Sequence, residues 1–220
     1  MLNLYKEKKM EGDVKINIIT LGTCGVGKTS IINRIKDGTF KDCYRATLAL
    51  DYFTITRNYE NKNLIMSLNF HDTTGLEEFQ GIIPMQIIRN AHIVLLVFCD
   101  INSLNDITKR WYKFYKKNAN IENSRFILVG NKSDIFGDDE DEIIKQGQKF
   151  AEEIDAHFIT CSAKSEDNMD NLERFIINEA KRFIDENEKI LISNNKKVKL
   201  AYDKDIIIDN KEKQEKGKCC

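Results

Sequence analysis

Eight residues, Gly22-Thr-Cys-Gly-Val-Gly-Lys28-Thr29, restrict the fold of this chain more than any other stretch. They have the spacing G-x-x-x-x-G-K-[ST], which by itself describes many ordinary Gly-rich turns. Their flanks supply the context. Residues 15–21 read as a buried strand, and residues from about 28 to 36 carry a helical pattern. A turn of this composition between strand and helix lets the backbone N–H groups at Gly22, Cys24, Gly25, Val26 and Gly27 face inward, around an anion. Lys28 can then reach the outer phosphates of a nucleotide. The Thr29 hydroxyl can take a place on Mg²⁺, and Ser30 continues the lining at the helix N-terminus.

The rest of the chain alternates in the same way. Residues 48–59 and 63–70 read as two strands joined at Asn61-Lys62-Asn63. A helix follows from about 77 to 90, then a strand (92–98), a helix (103–118) and a strand (125–129). The last pieces are a helix (141–154), a strand (157–161) and a helix (169–185). Such alternation predicts a doubly wound α/β fold. The sheet is six-stranded and mostly parallel, with one antiparallel edge strand and helices on both faces.

The 220 residues suit one domain over 13–185, preceded by an N-terminal extension (1–12). Residues 186–220 are rich in Lys, Asn, Asp and Glu around one apolar island, Ile206-Ile207-Ile208, and are expected to be a flexible, disordered tail. Charged residues make up 31% of the chain but nearly cancel to a formal net charge of -1, so no basic excess points to nucleic acid. The longest apolar run, 93–98, has the length of a strand and not of a membrane span. The start, MLNLYKEKKMEGD, has no signal-peptide apolar region, and Leu2 excludes N-myristoylation. The 6 cysteines are scattered except for the terminal Cys219-Cys220, which fits a reducing, intracellular setting.

Two further motifs follow strands at the edge of the sheet where ligands bind in such folds. In Asn131-Lys132-Ser133-Asp134, the Asp134 carboxylate can accept hydrogen bonds from the N1–H and amino group of guanine. Adenine has no matching donor pair. The backbone of Ser162-Ala163-Lys164, after the next strand, could bond the base carbonyl. Either segment alone would be a loop; their order after a phosphate loop makes one nucleotide site.

This set resembles the Ras superfamily of small GTPases, over roughly residues 13–185, and the resemblance implies the P-loop GTPase G-domain fold, GTP/GDP and Mg²⁺. Asp72-Thr73-Thr74-Gly75 looks like the family's D-x-x-G, which implies that Asp72 holds Mg²⁺ through water and that the Gly75 amide contacts the γ-phosphate. Thr47 stands where the switch I threonine should, binding Mg²⁺ and γ-phosphate. Phe40 and Tyr44 match aromatics that cover the phosphates and flank the guanine. Lys28, Thr47, Gly75 and residue 76 would then form the hydrolytic centre.

Within the superfamily the chain most resembles the Rab family. Thr47-Leu-Ala-Leu-Asp-Tyr52 loosely matches T-I-G-V-D-F, and Ile88-Arg89-Asn90-Ala91 resembles Y-Y-R-G-A. The terminal Cys219-Cys220 matches the Rab signal for double geranylgeranylation. The resemblance implies a GTP/GDP-regulated switch in vesicle trafficking, on the cytoplasmic face of intracellular membranes with a cytosolic pool. Its partners would be effectors at switches I and II, a GEF and a GAP. Prenyl escort and GDP-dissociation-inhibitor proteins would handle the tail; Leu200 and the Ile206–Ile208 island are either their grip or a collapsed patch.

Several residues depart from the family pattern. Leu76 occupies the position of the glutamine that orients the attacking water, and a leucine can neither donate to that water nor accept from it. Cys24 and Thr74 stand where smaller residues are usual, crowding the same spot. His71 replaces a common Trp and reads as a packing change. Arg45 reads as a solvated switch residue, with a guanidinium on the γ-phosphate as the other possibility. Slow intrinsic GTP hydrolysis is therefore expected. The alternatives are a GTP-binding module with negligible hydrolysis, controlled by exchange and membrane extraction, and a P-loop ATPase or kinase, which Asp134 disfavours.

Overall fold

A computed structural model describes residues 12–42, 50–75 and 83–187. The first strand, β1 (Gly12–Leu21), is one of the two central strands and leads into the Gly-rich turn and helix α1 (Lys28–Asp37). Next come β2 (Asp51–Tyr59) and β3 (Leu64–Asp72), joined by a 3₁₀ turn at Glu60–Lys62. Asn63 closes that turn in the left-handed region, at φ 52, donating its N–H to the Glu60 carbonyl. Asn tolerates this conformation better than most side chains.

After β3 come α2 (Met85–Arg89), β4 (Ile93–Phe98), and the run α3 (Ile101–Asp106), a π-turn (Ile107–Trp111) and α4 (Tyr112–Asn118). The chain then forms β5 (Arg125–Gly130), α5 (Glu140–Glu153), β6 (His157–Thr160) and α6 (Met169–Glu186). The sheet order is β2-β3-β1-β4-β5-β6. Every pairing is parallel except β2 with β3, which run antiparallel with Asp51 opposite Asp72. This is the doubly wound, six-stranded sheet with an antiparallel edge that the alternation predicts.

The period of the strands sorts the core into two layers. Ile93, Leu95 and Val97 pack with Ile31 and Ile32 of α1 and with Leu172, Ile176 and Ala180 of α6. Val94, Leu96 and Phe98 face the opposite way, against Leu104, Trp111, Tyr115 and Phe150. Because β4 is buried on both faces, it reads as an unbroken apolar run. No helix among the described residues is long and apolar enough to cross a membrane.

Some boundaries differ from the sequence expectation. The helix predicted from residue 103 begins at Ile101, because Asp100 and Ser103 form a capping box: Ser103 N–H donates to Asp100 Oδ1 at 2.7 Å and Asp100 N–H to Ser103 Oγ at 3.0 Å. The strand predicted from residue 48 is seen from Asp51, and of the helix predicted over 77–90 the described part is Met85–Arg89. Tyr44, Arg45, Thr47, Leu76, the apolar island of the tail, Cys219 and Cys220 lie outside the described residues.

His92, just ahead of β4, ties three strands together. Its N–H donates to the Asn17 carbonyl, its carbonyl accepts from Arg125 N–H, and its Nδ1 accepts from Asn17 N–H at 3.1 Å. The ring stacks on Phe183, with centroids 4.4 Å apart. Burial holds the imidazole down to about 4. An unfolded chain takes up this proton near pH 6.5, so stability is lost as pH falls from there toward 4, by about 2 kcal/mol between pH 7 and pH 5. Urea unfolding at the two pH values is expected to show that loss in the native chain and a smaller one in His92→Gln. Equal losses would remove His92 from the account.

Candidate functional site

At the C-terminal edge of the sheet lies a cleft of about 570 Å³. The segments that wall it leave β1, β3, β5 and β6, and α1 with the stretch after it adds Asn33 and residues 39–42. From β1 comes the Gly-rich turn, with Cys24, Gly25, Gly27, Lys28, Thr29 and Ser30 on the cleft. Gly27 caps α1 at φ 96, and a Cβ there would lie 2.2 Å from Asn131 Nδ2. Only glycine suits both the left-handed backbone and that approach.

Behind the turn, Thr23 Oγ1 donates to Asp106 Oδ2 at 3.2 Å and accepts from Trp111 Nε1 at 3.4 Å. Asp106 and Trp111 bracket the π-turn, so this irregular turn is where the helical run between β4 and β5 grips the loop.

Lys28 is buried and donates to the carbonyls of Gly22 at 2.8 Å and Thr23 at 3.1 Å. Burial pulls its ammonium down to about 8, against the charge of the nearby Asp72 carboxylate. Thr29 Oγ1 donates to Asp72 Oδ2 at 2.5 Å, and Thr20 Oγ1 reaches the other oxygen at 3.3 Å. Burial pushes the Asp72 carboxyl up, opposed by the Thr29 hydrogen bond and the Lys28 charge. A hard cation would favour the ionised form. A hydroxyl paired with a buried carboxylate is the oxygen donor set such a cation takes, so these residues fit Mg²⁺.

The far wall is built from β5 and β6. Asn131 is buried; its Nδ2 donates to the Val26 carbonyl at 2.8 Å, and its Oδ1 accepts from Ala163 N–H at 3.1 Å. One amide therefore links the turn after β1 to the loop after β6. Ser162 Oγ donates to Asp134 Oδ1 at 2.5 Å, fixing one carboxylate oxygen. Lys132 sits in the left-handed region at φ 64.

Phe40, Gly75, Asn131, Lys132, Asp134, Ala163 and Lys164 line the cleft with the phosphate-loop residues. Gly22, Val26, Asp72 and Ser162 are absent from the lining and act from behind it, through the bonds just described. Thr74 is also buried and off the cleft wall, whereas Cys24 is half-buried and on it. Of the two residues expected to crowd the spot beside residue 76, Cys24 is thus on the cleft wall and Thr74 is not, while residue 76 itself lies outside the described residues. A Cβ on Gly75 would lie 2.4 Å from Cys24 N, so this glycine is required by a close backbone approach.

His71 packs beside Tyr52, with ring centroids 5.2 Å apart, and its Nδ1 is buried with no hydrogen-bond partner among the described residues. Burial lowers its basicity. Sequence reasoning missed Thr20, which holds Asp72, and Thr73, whose hydroxyl donates to the Thr20 carbonyl at 2.6 Å. It also missed Asn33, Thr39, Lys41, Asp42 and Ile135 on the cleft wall. Phe40 and Asp134 were the available signals for their neighbours.

The sequence profile of the Ras family matches residues 17–200. The chain belongs to the Ras family. Among curated proteins it is similar to Ras-related protein Rab-12 of Mus musculus and of Rattus norvegicus, each 34% identical over 171 residues, covering 76% of this chain and 68% of the relative. Ras-related protein Rab-12 of Homo sapiens matches at the same identity, over 76% of this chain and 67% of its own length. This Ras-family chain is thus a Rab-like small GTPase in sequence.

Proposed function

We propose that this chain is a GTP/GDP-regulated, membrane-associated switch of the Rab type, acting in vesicle trafficking and hydrolysing GTP slowly by itself. The observation that carries the reading is the convergence of Lys28, Thr29, Asn131 and Asp134 on one cleft, with Asp72 behind it on the Thr29 hydroxyl. Lys28 and the loop amides hold the outer phosphates, while Asp134 and the Ser162–Lys164 backbone read the base. Thr29, Thr47 and Asp72 would hold Mg²⁺. When bound, the ion neutralises charge on the β- and γ-phosphates. Thr47 and the Gly75 amide sense the γ-phosphate, so that both switch segments offer effectors a different surface in each state. Phe40 and Tyr44 flank the nucleotide.

In this reading residues 13–185 are the G domain, 1–12 an extension, and 186–220 a tail that carries two prenyl groups on Cys219 and Cys220. One prenyl chain binds a membrane marginally and two anchor it stably. Escort and dissociation-inhibitor proteins would cover these lipids in the cytosolic pool, and a GEF and a GAP would turn the cycle. The experiment has two arms. Purified chain with Mg²⁺ is expected to bind GTP and GDP and to discriminate against ATP; equal affinities would refute the nucleotide reading. In cells, Cys219→Ser/Cys220→Ser is expected to become soluble, and a double variant that still pellets with membranes would refute the lipid anchor.

A further inference from the structure

Arg34 lies on α1, six residues after the phosphate-loop lysine, and is not part of the cleft wall. Its side chain is only 11% exposed. Nε donates to the Ala163 carbonyl at 2.9 Å and Nη2 to the Lys164 carbonyl at 3.2 Å. Nη1 donates to the Gly38 carbonyl at 2.6 Å and to Glu166 Oε1 at 2.5 Å. One planar fork therefore holds two successive carbonyls of the loop after β6, an acidic side chain further along it, and the C-terminal cap of α1. Lysine, a point donor on a flexible stem, has no equivalent geometry.

These contacts close a circuit. The Ala163 peptide is gripped at both ends, its N–H by Asn131 and its carbonyl by Arg34. Asn131 reaches back to Val26, in the turn from which α1 starts, and α1 carries Arg34. The same loop includes two residues in the left-handed region, Glu166 at φ 69 and Asn168 at φ 54. A loop with such backbone persists only where its surroundings over-determine it. Ser162, at its start, orients the Asp134 carboxylate.

We propose that Arg34 is a positioning residue for base recognition: it locks the Ser162–Lys164 backbone to the helix that begins at the phosphate loop, so that contact with the base's 6-oxygen depends on a side chain outside the cleft. The inference rests on the guanine-nucleotide reading above. Removing the fork leaves the Ala163 and Lys164 carbonyls without it and frees the loop to drift from the base. Phosphate contacts, made by Lys28 and the turn itself, are left in place.

The test measures dissociation constants by competition with a fluorescent GDP. The competitors are GDP and 2-aminopurine riboside 5′-diphosphate, which keeps the amino group but lacks the 6-oxygen and, with it, the N1–H; each variant's losses are compared with the wild-type affinity for the same nucleotide. Arg34→Ala is expected to weaken GDP about tenfold, the upper worth of one neutral backbone hydrogen bond to the 6-oxygen, and to leave the analogue's affinity unchanged. Arg34→Lys, which can serve one carbonyl, should fall between; should the Ala variant fail to fold, the Lys variant carries the comparison. Equal weakening of both nucleotides would mean a merely structural arginine and would overturn the proposal, as would no change in either. Wild-type preference for GDP over ADP checks the nucleotide reading separately. With that preference intact, equal losses overturn the role of Arg34 alone; without it, both readings fall.

Discussion

Asp134→Asn is expected to move the chain's preference from guanine to xanthine nucleotides. The carboxylate accepts from two donors on guanine, and each hydrogen bond to a charged group contributes about 1.5–3 kcal/mol, so GDP affinity should fall by roughly two to four powers of ten. The structure adds a reason for inversion as well as loss. Ser162 Oγ already donates to Asp134 Oδ1 at 2.5 Å, and it can donate equally to an asparagine Oδ1. The new NH₂ would then stand at the other carboxylate position, offering a donor where xanthine carries a second carbonyl. Competition of GDP and XDP against a fluorescent nucleotide, on both proteins, reads the change directly. A variant that still prefers GDP would remove Asp134 from base selection.

Leu76→Gln is expected to speed single-turnover GTP hydrolysis by on the order of one to two powers of ten, because one well-placed hydrogen bond to the attacking water is worth about that much in the transition state. The starting point is the family position of residue 76, directly after the glycine that senses the γ-phosphate. The geometry of Gly75 bears on how complete the rescue can be. This glycine lies against the backbone of Thr23 and Cys24, and Cys24 is on the cleft wall. The Cys24 thiol is therefore the group whose removal should add to the rescue. Leu76→Gln/Cys24→Gly should therefore exceed the single variant, whereas adding Thr74→Ala should do little, since Thr74 is buried away from the cleft. GTP affinity should change little in the first variant. If the native chain already hydrolyses as fast as the double variant, Leu76 is not a missing catalytic group, and Arg45 becomes the first residue to replace. If no variant gains, the chain is better described as a GTP-binding module controlled by exchange.

The order of strands and helices could be read from the chain because each element carries its own period. Unbroken apolar β4 announced a strand covered on both faces, and α6 shows Leu172, Ile176, Ala180 and Phe183 on one side. The Gly22–Thr29 turn, the Asn131–Asp134 segment and the Ser162–Lys164 segment were legible for a related reason. Each carries its residue types at fixed short spacings, and those spacings survive in one dimension. Contacts between residues far apart in sequence leave no such mark. Nothing in the local pattern says that Thr20 holds Asp72, that Trp111 and Asp106 grip Thr23 through a π-turn, or that Arg34 ties α1 to a loop 129 residues away. Each of these side chains is polar or amphipathic and would pass for ordinary surface or core. Their partners are supplied by the parallel sheet, whose crossovers bring the C-terminal ends of β1, β3, β5 and β6 to one edge. Most residue types that line the cleft could therefore be read from the sequence; the network that holds its groups in place exists only once the sheet has formed.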